Sequence, residues 1–455
     1  MKQYLYKAGM MVGLACTILQ GCNKWKDHTA ITDPELNKNL LQQIEEVPEL
    51  SRFADLLVKS GYGQLIAGSK NYTVFAPVNA ALASLDPSIE ADTARLRLFV
   101  GNHISNQLFK VTGNEPLRLL MINNKYNNLQ GHTIEEASIT VANRYGKNGY
   151  LNIIDKVVPA LSNAWEFVNK DPQMPARQKA FLLSQKDSTG TNTYLATIAD
   201  LRDEKKQYTF FVLADTAWDA ELNNFKPFFV LESGNTDSTL DAAGRAVARD
   251  LVLDTVYRPA FIPDTVLSRY NTKLGIAKND IAQTIKLSNG IVYIMRRLPV
   301  LPKHKFQPYV IQGEDYQFYR VDRRNVTYLR DKFNPVTGRD MRDVLVWDHN
   351  VAQFYLGYHL PNVPAMKYKA YWVALHDNIN SNTGSFKQLL GIGTFNSSRL
   401  AYTTVNPNNF NEVYLGEFTL PYYNAMLNLY LTADNNTNDD ANKITVDYIR
   451  LEPVL

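Results

Sequence analysis

Residue types that can bind a sugar occur in strand-like segments of the last third of this chain. Aromatic rings pack against the apolar C–H face of a sugar, and amide or carboxylate groups hydrogen-bond to its hydroxyls. The candidate ligand-binding residues are Trp347, Asp348, Asn350, Tyr371, Trp372, Asn428 and Tyr430. Because side chains alternate along a strand, Tyr371 and Trp372 point to opposite faces. The sequence leaves open which of these faces is in water.

Three carboxylates in the same region, Asp340, Asp343 and Asp348, raise the question of glycoside cleavage. That reaction needs two carboxyl groups facing each other across roughly 5 to 9 Å, which spacing along the chain does not establish. The sequence contains no nucleophile elbow, phosphate loop, HExxH or CxxC pattern. We therefore predict a protein that is not an enzyme. A glycoside hydrolase or esterase in the C-terminal region is kept as an alternative.

A run of oxygen-bearing side chains near the C-terminus could hold calcium. Asp434, Asp439 and Asp440 supply carboxylates, but the run lacks the central glycine and the terminal glutamate of a helix-loop-helix calcium site. The favoured interpretation is a solvated turn before the last strand. We predict no cofactor, with calcium at these three aspartates as the alternative.

Cys22 is a predicted site of lipid modification. Lys2 and Lys7 precede an apolar run from Ala8 to Leu19, and Gly21 stands directly before the cysteine. The apolar run is too short for a bilayer core that needs about 20 residues, so the segment resembles a bacterial lipoprotein signal. We predict a signal peptide over 1–21, a tether over 22–35 and a lipid anchor in the outer membrane, facing the cell surface. A periplasm-facing anchor stays open, because residues 23–27 lack an acidic cluster.

The amino-acid composition bears on disulfides, on nucleic-acid binding and on the kind of core. Cys16 lies in the segment to be removed and Cys22 would be acylated, so no disulfide is expected. The 48 Lys and Arg are nearly balanced by 45 Asp and Glu, which gives no reason to expect a nucleic-acid partner. The 26 Tyr and 20 Phe suit β-rich cores and contact surfaces.

The elements that must carry these residues begin with two related units. In the first, helical spacing over Leu40–Leu65 precedes a strand-to-helix string, Tyr72–Leu82, in which Asn79 is predicted to cap the following helix. A helix then leads to His103, and Asn148–Gly149 indicates a hairpin turn. These strings resemble the signatures of the fasciclin domain, which we assign to 36–160.

The same order recurs about 136 residues later, over 161–303. Tyr208–Trp218 repeats the first string with Asp215 at the place of Asn79, and Ser288–Met295 repeats the closing hairpin. Thr255 is aligned with His103. We predict that His103 is a hydrogen-bonded core or turn residue and that Asn79 and Asp215 are helix caps, worth about 1 kcal/mol each.

Beyond Pro302 the pattern changes to short strand-like runs separated by turns rich in Asn, Gly and Pro. The predicted strands are Asp343 to Trp347, Gln353 to Leu360, Tyr368 to Leu375, Glu412 to Leu420, Ala425 to Leu431 and Ile444 to Leu451. This spacing favours a β-sandwich or jelly roll over 304–455. The segments Leu360–Tyr371 and Ile444–Pro453 resemble strands of carbohydrate-binding modules with a galactose-binding-like fold.

The expected fold class is therefore multidomain: two fasciclin-like α+β domains followed by an all-β sandwich. The resemblance implies a non-catalytic role in binding or adhesion. Lipoproteins of this layout resemble accessory components of SusC/SusD-type outer-membrane glycan-uptake systems, so polysaccharide or oligosaccharide and such a transporter complex are the predicted partners. A cell-surface adhesin that binds a protein is the alternative.

Overall fold

The computed structural model describes residues 34–113, 115–377, 384–396, 398–438 and 442–455. Cys22 and the predicted signal peptide lie outside these residues. The chain divides into two compact units. The first unit is the chain up to residue 164 together with 202–206 and 286–289, and the second unit is 165–201, 207–285 and 290–455.

The first unit opens with short helices rather than one long one. Its helices are Leu40–Glu45, Ser51–Lys59, Tyr62–Ala67, Asn79–Leu82, Pro87–Ala91 and Thr93–Gly101, with 3₁₀ turns at Pro34–Asn37 and Pro48–Leu50. The prediction of continuous helix over Leu40–Leu65 was wrong, because the structure interrupts the helix at two places. Pro48 opens a 3₁₀ turn, and Gly61 has φ 78°, a left-handed conformation that ends the helix before it.

The strands of the first unit form one mixed sheet. They are β1 Tyr72–Pro77, β2 Ile104–Ser105, β3 Leu117–Leu120, β4 Tyr126–Gln130, β5 Thr133–Ile134, β6 Ala137–Gly146 and β7 Gly149–Ile154. The sheet order is β2-β1-β7-β6-β5-β4-β3, and β1 pairs with β7 in parallel. Every residue of β1 is buried, as expected for a central strand covered on both faces.

The hairpin predicted at Asn148–Gly149 exists, with a different turn. Gly146 pairs with Gly149, so the two loop residues are Lys147 and Asn148. Gly149 instead begins β7 with φ 149°. A Cβ atom at this position would lie 1.8 Å from the carbonyl oxygen of Tyr72. Glycine is required here by the close approach of the neighbouring parallel strand.

The second repeat contains the same kinds of element. Its helices are Ala164–Lys170, Ala176–Ser184, Thr193–Thr197, Asp215–Phe225 and Thr236–Ala248, and its strands are β8 Tyr208–Leu213, β9 Val252–Leu253, β10 Thr265–Leu267, β11 Lys273–Gly275, β12 Ile281–Leu287 and β13 Gly290–Met295. Strand β8 pairs with β13 in parallel, with Tyr208 opposite Gly290. Gly290 also has φ 149°, and a Cβ there would lie 2.0 Å from the Tyr208 carbonyl oxygen.

Each repeat also has a buried asparagine directly before that glycine. The Asn148 side chain accepts from the Leu40 N–H at 2.9 Å and donates to the carbonyl of Ile66 at 2.6 Å. Asn289 accepts from the Ala164 N–H at 2.8 Å. In both repeats the amide ties the start of a helix to the closing strand, which confirms the internal duplication at the level of single hydrogen bonds.

The alignment of Thr255 with His103 was wrong. The carbonyl of His103 accepts from the Phe75 N–H at 2.9 Å, and in the second repeat the carbonyl of Leu251 accepts from the Phe211 N–H at 2.8 Å. Leu251 therefore occupies the position of His103. Sequence pattern placed this strand start four residues too late because β9 is only two residues long.

The C-terminal part of the second unit is all β, as predicted. After a helix at Pro302–Lys305 come β14 Tyr309–Gln312, β15 Phe318–Tyr319, β16 Thr327–Asn334, β17 Arg339–Val346, β18 Tyr355–Val363, β19 Lys367–Val373, β20 Phe386–Ile392, β21 Ser398–Arg399, β22 Thr403–Val405, β23 Val413–Thr419, β24 Asn424–Ala433, β25 Ile444–Val446 and β26 Tyr448–Val454. They form sheets in the orders β14-β26-β19-β23, β15-β18-β24-β20-β21 and β16-β17-β25.

Buried side chains alternate along the long strands of this sandwich. In β18 they include Leu356, Tyr358 and Leu360, and in β19 Tyr368 and Trp372. Each of the two larger sheets therefore has one face in the core. The runs predicted as strands all fall on strands of the structure, whereas β14, β15, β16, β20, β21 and β22 were missed.

A buried ion pair and a group of aromatic rings join the second repeat to the sandwich inside the second unit. Lys305 forms an ion pair with Asp250, with both side chains at most 2 % exposed. Phe229 packs on Tyr423 of the sandwich, with ring centroids 5.3 Å apart. The Tyr423 N–H donates to the Val230 carbonyl at 2.8 Å. The two parts are thereby held by charge, ring packing and main-chain hydrogen bonds.

The glycine at the start of each closing strand yields a stability prediction. Gly149→Ala and Gly290→Ala force a Cβ into a neighbouring carbonyl oxygen, so we expect each to lower the free energy of unfolding by about 3 kcal/mol or more. Thermal and urea unfolding measure the effect. Gly275→Ala is the control, because no heavy atom lies within 4 Å of its Cβ position. Equal stability of all three variants would contradict the requirement for glycine.

Candidate functional site

One face of the sheet β15-β18-β24-β20-β21 carries aromatic side chains that are only partly buried. Along β18, Tyr355, Gly357 and His359 alternate with the buried residues of the same strand. Gly357 lies opposite Tyr430 of β24. A Cβ at Gly357 would lie 2.1 Å from the ring of Phe318. The absence of a side chain at Gly357 therefore makes room for the Phe318 ring on the sheet.

Four rings meet on this face: Phe318, Tyr355, Phe395 and Tyr430. Tyr355 lies at the centre, with its ring centroid 4.8 Å from that of Phe395, 5.1 Å from Tyr430 and 6.2 Å from Phe318. Phe318 and Tyr430 are 5.4 Å apart at 78°. These are the separations and angles of favourable aromatic pairs. We call this group of four rings, with His359 and Asn428 at its edge, the aromatic surface.

Polar groups lie at the edge of the aromatic surface. The His359 ring nitrogen Nδ1 is 2.8 Å from Asn428 Oδ1, and the exposed His359 ring lies 4.8 Å from that of Phe318. The guanidinium of Arg399 lies 4.4 Å from the Phe395 ring centroid. Apolar ring faces and hydrogen-bonding groups are therefore adjacent, which is the combination that recognises a sugar.

Two of the predicted ligand-binding residues belong to the aromatic surface. Asn428 lies at its edge, and Tyr430 lies beneath its centre at 9 % exposure, so Tyr430 supports the neighbouring rings more than it faces solvent. Sequence reasoning missed Phe318, Tyr355 and Phe395. The period-2 run Tyr355, Gly357, His359 was a usable indication for one of them, since it marks one face of a strand.

Trp372 was wrongly predicted as a ligand contact. It is 1 % exposed and lies on the core face of β19. Tyr371 is on the opposite face, as alternation requires, but the guanidinium of Arg450 lies 4.1 Å from its ring centroid. Arg450 is itself held there by Glu412 at 2.6 Å. A cation therefore lies over one face of Tyr371, as Arg399 does over Phe395.

Trp347, Asp348 and Asn350 lie in the loop after β17, whereas Asn428 and Tyr430 lie on β24. Asp348 and Asn350 are exposed and have φ 57° and 54°, and the Asn350 amide donates to Asp348 Oδ1 at 2.9 Å. Trp347 is half-buried. The structure thus separates the predicted residues among different strands and loops instead of gathering them in one site.

The three aspartates considered for glycoside cleavage do not form a facing pair. Asp343 is fully buried and ion-paired to Arg330, and burial raises the pKa of its carboxyl. Asp340 lies three residues earlier on the same strand and therefore on the other face. Asp348 is exposed in the loop. This arrangement lacks the two opposed carboxyl groups of a glycosidase.

The calcium alternative is only partly covered by the structure. Asp434 accepts from the Asn435 N–H at 2.8 Å, which is typical of a turn. Asp439 and Asp440 lie outside the described residues. In the part of the chain that the structure describes, no group of three or more His, Cys, Asp or Glu side chains could hold a metal ion.

The first repeat matches a known family. The fasciclin domain family matches residues 48–159. Residues 48–159 are a fasciclin domain. No curated protein matches the chain.

Within the described residues, no helix has the length and apolar character needed to cross a membrane.

Among solved structures, the chain is similar to a fasciclin domain pair from the insect cell adhesion molecule fasciclin I, at 16 % identity over 57 % of this chain and 99 % of that chain, with a TM-score of 0.24. It is similar to a family 35 carbohydrate-binding module from Clostridium thermocellum, at 13 % identity over 33 % of this chain and 100 % of the module, with a TM-score of 0.22. It is also similar to a mannanase of Podospora anserina that carries such a module, at 16 % identity over 33 % of this chain and 28 % of the mannanase, with a TM-score of 0.23.

In the fasciclin domain, His103 is a structural residue, as predicted. It is fully buried, with Nδ1 2.9 Å from the carbonyl oxygen of Phe99, and its Nε2 accepts from the Val158 N–H at 3.0 Å. Nε2 must be unprotonated to accept this bond, so Nδ1 carries the proton and donates to Phe99. Burial lowers the pKa of His103 to about 4. The neutral ring is fully satisfied and has no free nitrogen for catalysis.

The prediction that Asn79 caps the helix it precedes was wrong in the choice of helix. Asn79 is the first residue of that helix, and its Oδ1 accepts from the Arg52 N–H of Ser51–Lys59 at 3.0 Å. Asp215 likewise accepts from the Arg177 N–H at 2.8 Å. Both side chains cap a neighbouring helix start, which a sequence pattern based on adjacent residues does not detect.

His103 leads to a prediction about pH. Its folded-state pKa lies below the unfolded value, so the unfolded chain binds the proton first as pH falls, and stability is lost between pH 6.5 and 4. The comparison is with His103→Leu, because leucine stands at this position in the second repeat. As the pH falls through that range, we expect the free energy of unfolding of wild type to decrease by about 3 kcal/mol relative to that of the variant. Unfolding of both proteins at several pH values measures this difference. A difference that does not change with pH would contradict the buried neutral ring.

Proposed function

We propose that this chain is a non-catalytic binding protein that captures a glycan on the aromatic surface of its C-terminal sandwich. The observation that supports the proposal is the convergence of Phe318, Tyr355, Phe395 and Tyr430 on one partly exposed sheet face. Five of the six pairs among these rings have centroids 4.8 to 6.2 Å apart. They provide an apolar platform against which a sugar ring can pack.

The platform is suited to a neutral sugar. Rings in contact with sugar C–H groups contribute on the order of 1 kcal/mol each, and the adjoining His359 and Asn428 offer hydrogen bonds to hydroxyls. Arg399 is engaged on the Phe395 ring and with the Phe395 carbonyl at 2.8 Å. Ring packing fixes the orientation of the aromatic side chains before binding, which reduces the entropic cost of association.

The membrane part of the proposal comes from the sequence. Acyl chains on Cys22 would hold the protein in the outer membrane, facing the cell surface, while the polypeptide stays in water. We propose that it serves there as an accessory of a SusC/SusD-type glycan-uptake complex. The two repeats, 36–160 and 161–303, would then stand in the chain between the anchor and the glycan-binding domain.

A cell-surface adhesin is the second candidate function. The family match at residues 48–159 favours it, because fasciclin domains generally serve in extracellular contacts. In that case the partner is a protein, and the aromatic surface has no role in capture. The two functions therefore differ in whether substitutions on the sandwich change binding.

Substitutions on the aromatic surface test glycan capture. We expect Tyr355→Ala and Phe395→Ala each to weaken binding about fivefold, because each removes a ring face worth on the order of 1 kcal/mol. Affinity electrophoresis against a panel of polysaccharides measures retardation. Tyr414→Ala is the matched control, since Tyr414 is 51 % exposed on β23 of another sheet.

The same experiment separates the two functions. Glycan capture is supported if a polysaccharide retards wild type and Tyr414→Ala, and if this retardation is reduced in Tyr355→Ala and Phe395→Ala. If no polysaccharide retards the wild-type protein and a surface protein co-purifies with it instead, glycan capture is wrong and the adhesin is favoured. Circular dichroism of each variant verifies that the sandwich remains folded.

Cys22→Ser tests the anchor. Serine does not form the thioether that carries the lipid, so we expect the variant protein to move from the membrane fraction to the soluble fraction. Fractionation with detection by antibody measures this change, and protease treatment of intact cells reports which side the wild-type protein faces. Membrane association that survives Cys22→Ser would contradict anchoring by lipid.

A further inference from the structure

A cavity of about 490 Å³ lies inside the second unit, where the second repeat meets the sandwich. Its wall includes one face of the helix Thr236–Ala248, the linker from Lys305 to Tyr309, and Asn362 and Tyr423 of the sandwich. The volume is in the range of small-molecule sites. None of the residues of the aromatic surface lines it, so the two places are separate.

Arg249 places an incompletely satisfied cation in the cavity wall. Its Nε is buried and has no hydrogen-bond partner among the described residues. The carboxylate oxygen Asp250 Oδ2 is 4.0 Å from Nε, beyond hydrogen-bond distance. Lys305 already holds that same oxygen. One carboxylate thus lies near two cations, and Arg249 has no carboxylate within hydrogen-bond distance of its Nε.

The other charges in the cavity wall are already paired. Asp241 is 3.0 Å from the Arg245 guanidinium and accepts from the Gln185 amide at 2.7 Å. Lys305 is neutralised by Asp250. After these pairs are formed, Arg249 is the charged group of the wall whose donors are least engaged. The site therefore favours a ligand with a single negative charge.

Tyr270 packs on the guanidinium, and two further tyrosines and an amide line the same cavity. The guanidinium carbon of Arg249 is 4.8 Å from the ring centroid of Tyr270. Tyr309 and Tyr423 are fixed by Asn362, whose carbonyl and Oδ1 oxygens accept from the two hydroxyls at 3.2 Å and 2.7 Å. Fixed tyrosine faces can pack on a ring-shaped ligand, and the hydroxyl and amide groups can meet polar substituents.

We propose that this cavity binds a ring-shaped ligand carrying one anionic group, an acidic sugar residue, with Arg249 as the anion-binding residue. A guanidinium presents parallel N–H donors that match the two oxygens of a carboxylate. The site goes beyond the glycan capture assigned to the aromatic surface and does not depend on it.

Calorimetric titration of the full chain with glucuronate tests the proposal. We expect saturable binding that Arg249→Gln weakens at least tenfold and that Arg245→Gln, which alters a cation already paired to Asp241, weakens less than threefold. Glucose lacks the carboxylate of glucuronate, so it tests whether the negative charge is required, and it should not bind in the cavity. Inorganic sulfate reports the need for the ring and should bind at least tenfold more weakly than glucuronate.

The outcomes distinguish this site from the aromatic surface. Binding of glucuronate should be unchanged in Tyr355→Ala, whether or not that variant still binds a polysaccharide. Absence of glucuronate binding, or equal binding by wild type and Arg249→Gln, overturns the proposal. Sulfate binding as tight as glucuronate binding also overturns it, because the ring would then contribute nothing. If Arg249→Gln lowers the melting temperature, Arg249→Lys serves as a second variant. Lysine keeps the positive charge but lacks the parallel N–H donors of the guanidinium, so this variant should still bind glucuronate more weakly than wild type.

Discussion

The buried ion pair between Lys305 and Asp250 is the interaction on which the second unit depends. Lys305 ends the short helix that leads from the second repeat into the sandwich, and it enters the repeat next to the Phe225 ring, with Nζ 4.8 Å from the ring centroid. Burial lowers the pKa of Lys305 and the Asp250 carboxylate opposes this effect. Removing Asp250 would leave the Lys305 charge buried without its carboxylate partner, at a cost of about 3 to 5 kcal/mol.

Aromatic packing extends from this ion pair to the sandwich. Phe306 follows Lys305, and its ring centroid is 4.8 Å from that of Phe228. The Phe228 carbonyl accepts from the Ala365 N–H of the sandwich at 2.8 Å. The sandwich is thereby fixed to the second repeat through successive residues of the linker. This gives the repeat a physical role in the proposal, because it holds the domain that carries the aromatic surface.

Local sequence patterns predicted the parts of this structure that depend on neighbouring residues. The strand-to-helix strings beginning at Tyr72 and Tyr208, and the closing hairpins, are visible because turns and apolar runs are local. The identity of the helix capped by Asn79 and the alignment of Leu251 with His103 depend on contacts between distant segments. Short or charged strands such as β15 and β16 were missed because they have too few apolar alternations to be recognised.

The candidate site shows the same limit. Tyr430 and Asn428 were found because they lie on a long strand of clear alternation, whereas Phe318 comes from a two-residue strand and Phe395 from a loop. Trp372 was misassigned because alternation gives two faces without saying which is buried. A binding surface assembled from several strands and loops requires the sheet order, which single-sequence patterns do not contain.

Glycan capture on the aromatic surface can be tested by a crystal structure of the full chain bound to an oligosaccharide. The oligosaccharide is taken from a polysaccharide that retards the protein in affinity electrophoresis. We expect a sugar ring in van der Waals contact with Tyr355 or Phe395 and a sugar hydroxyl within hydrogen-bond distance of His359 or Asn428. A sugar bound instead at the loop of Trp347, or on the fasciclin domain at 48–159, with the aromatic surface unoccupied, would contradict it.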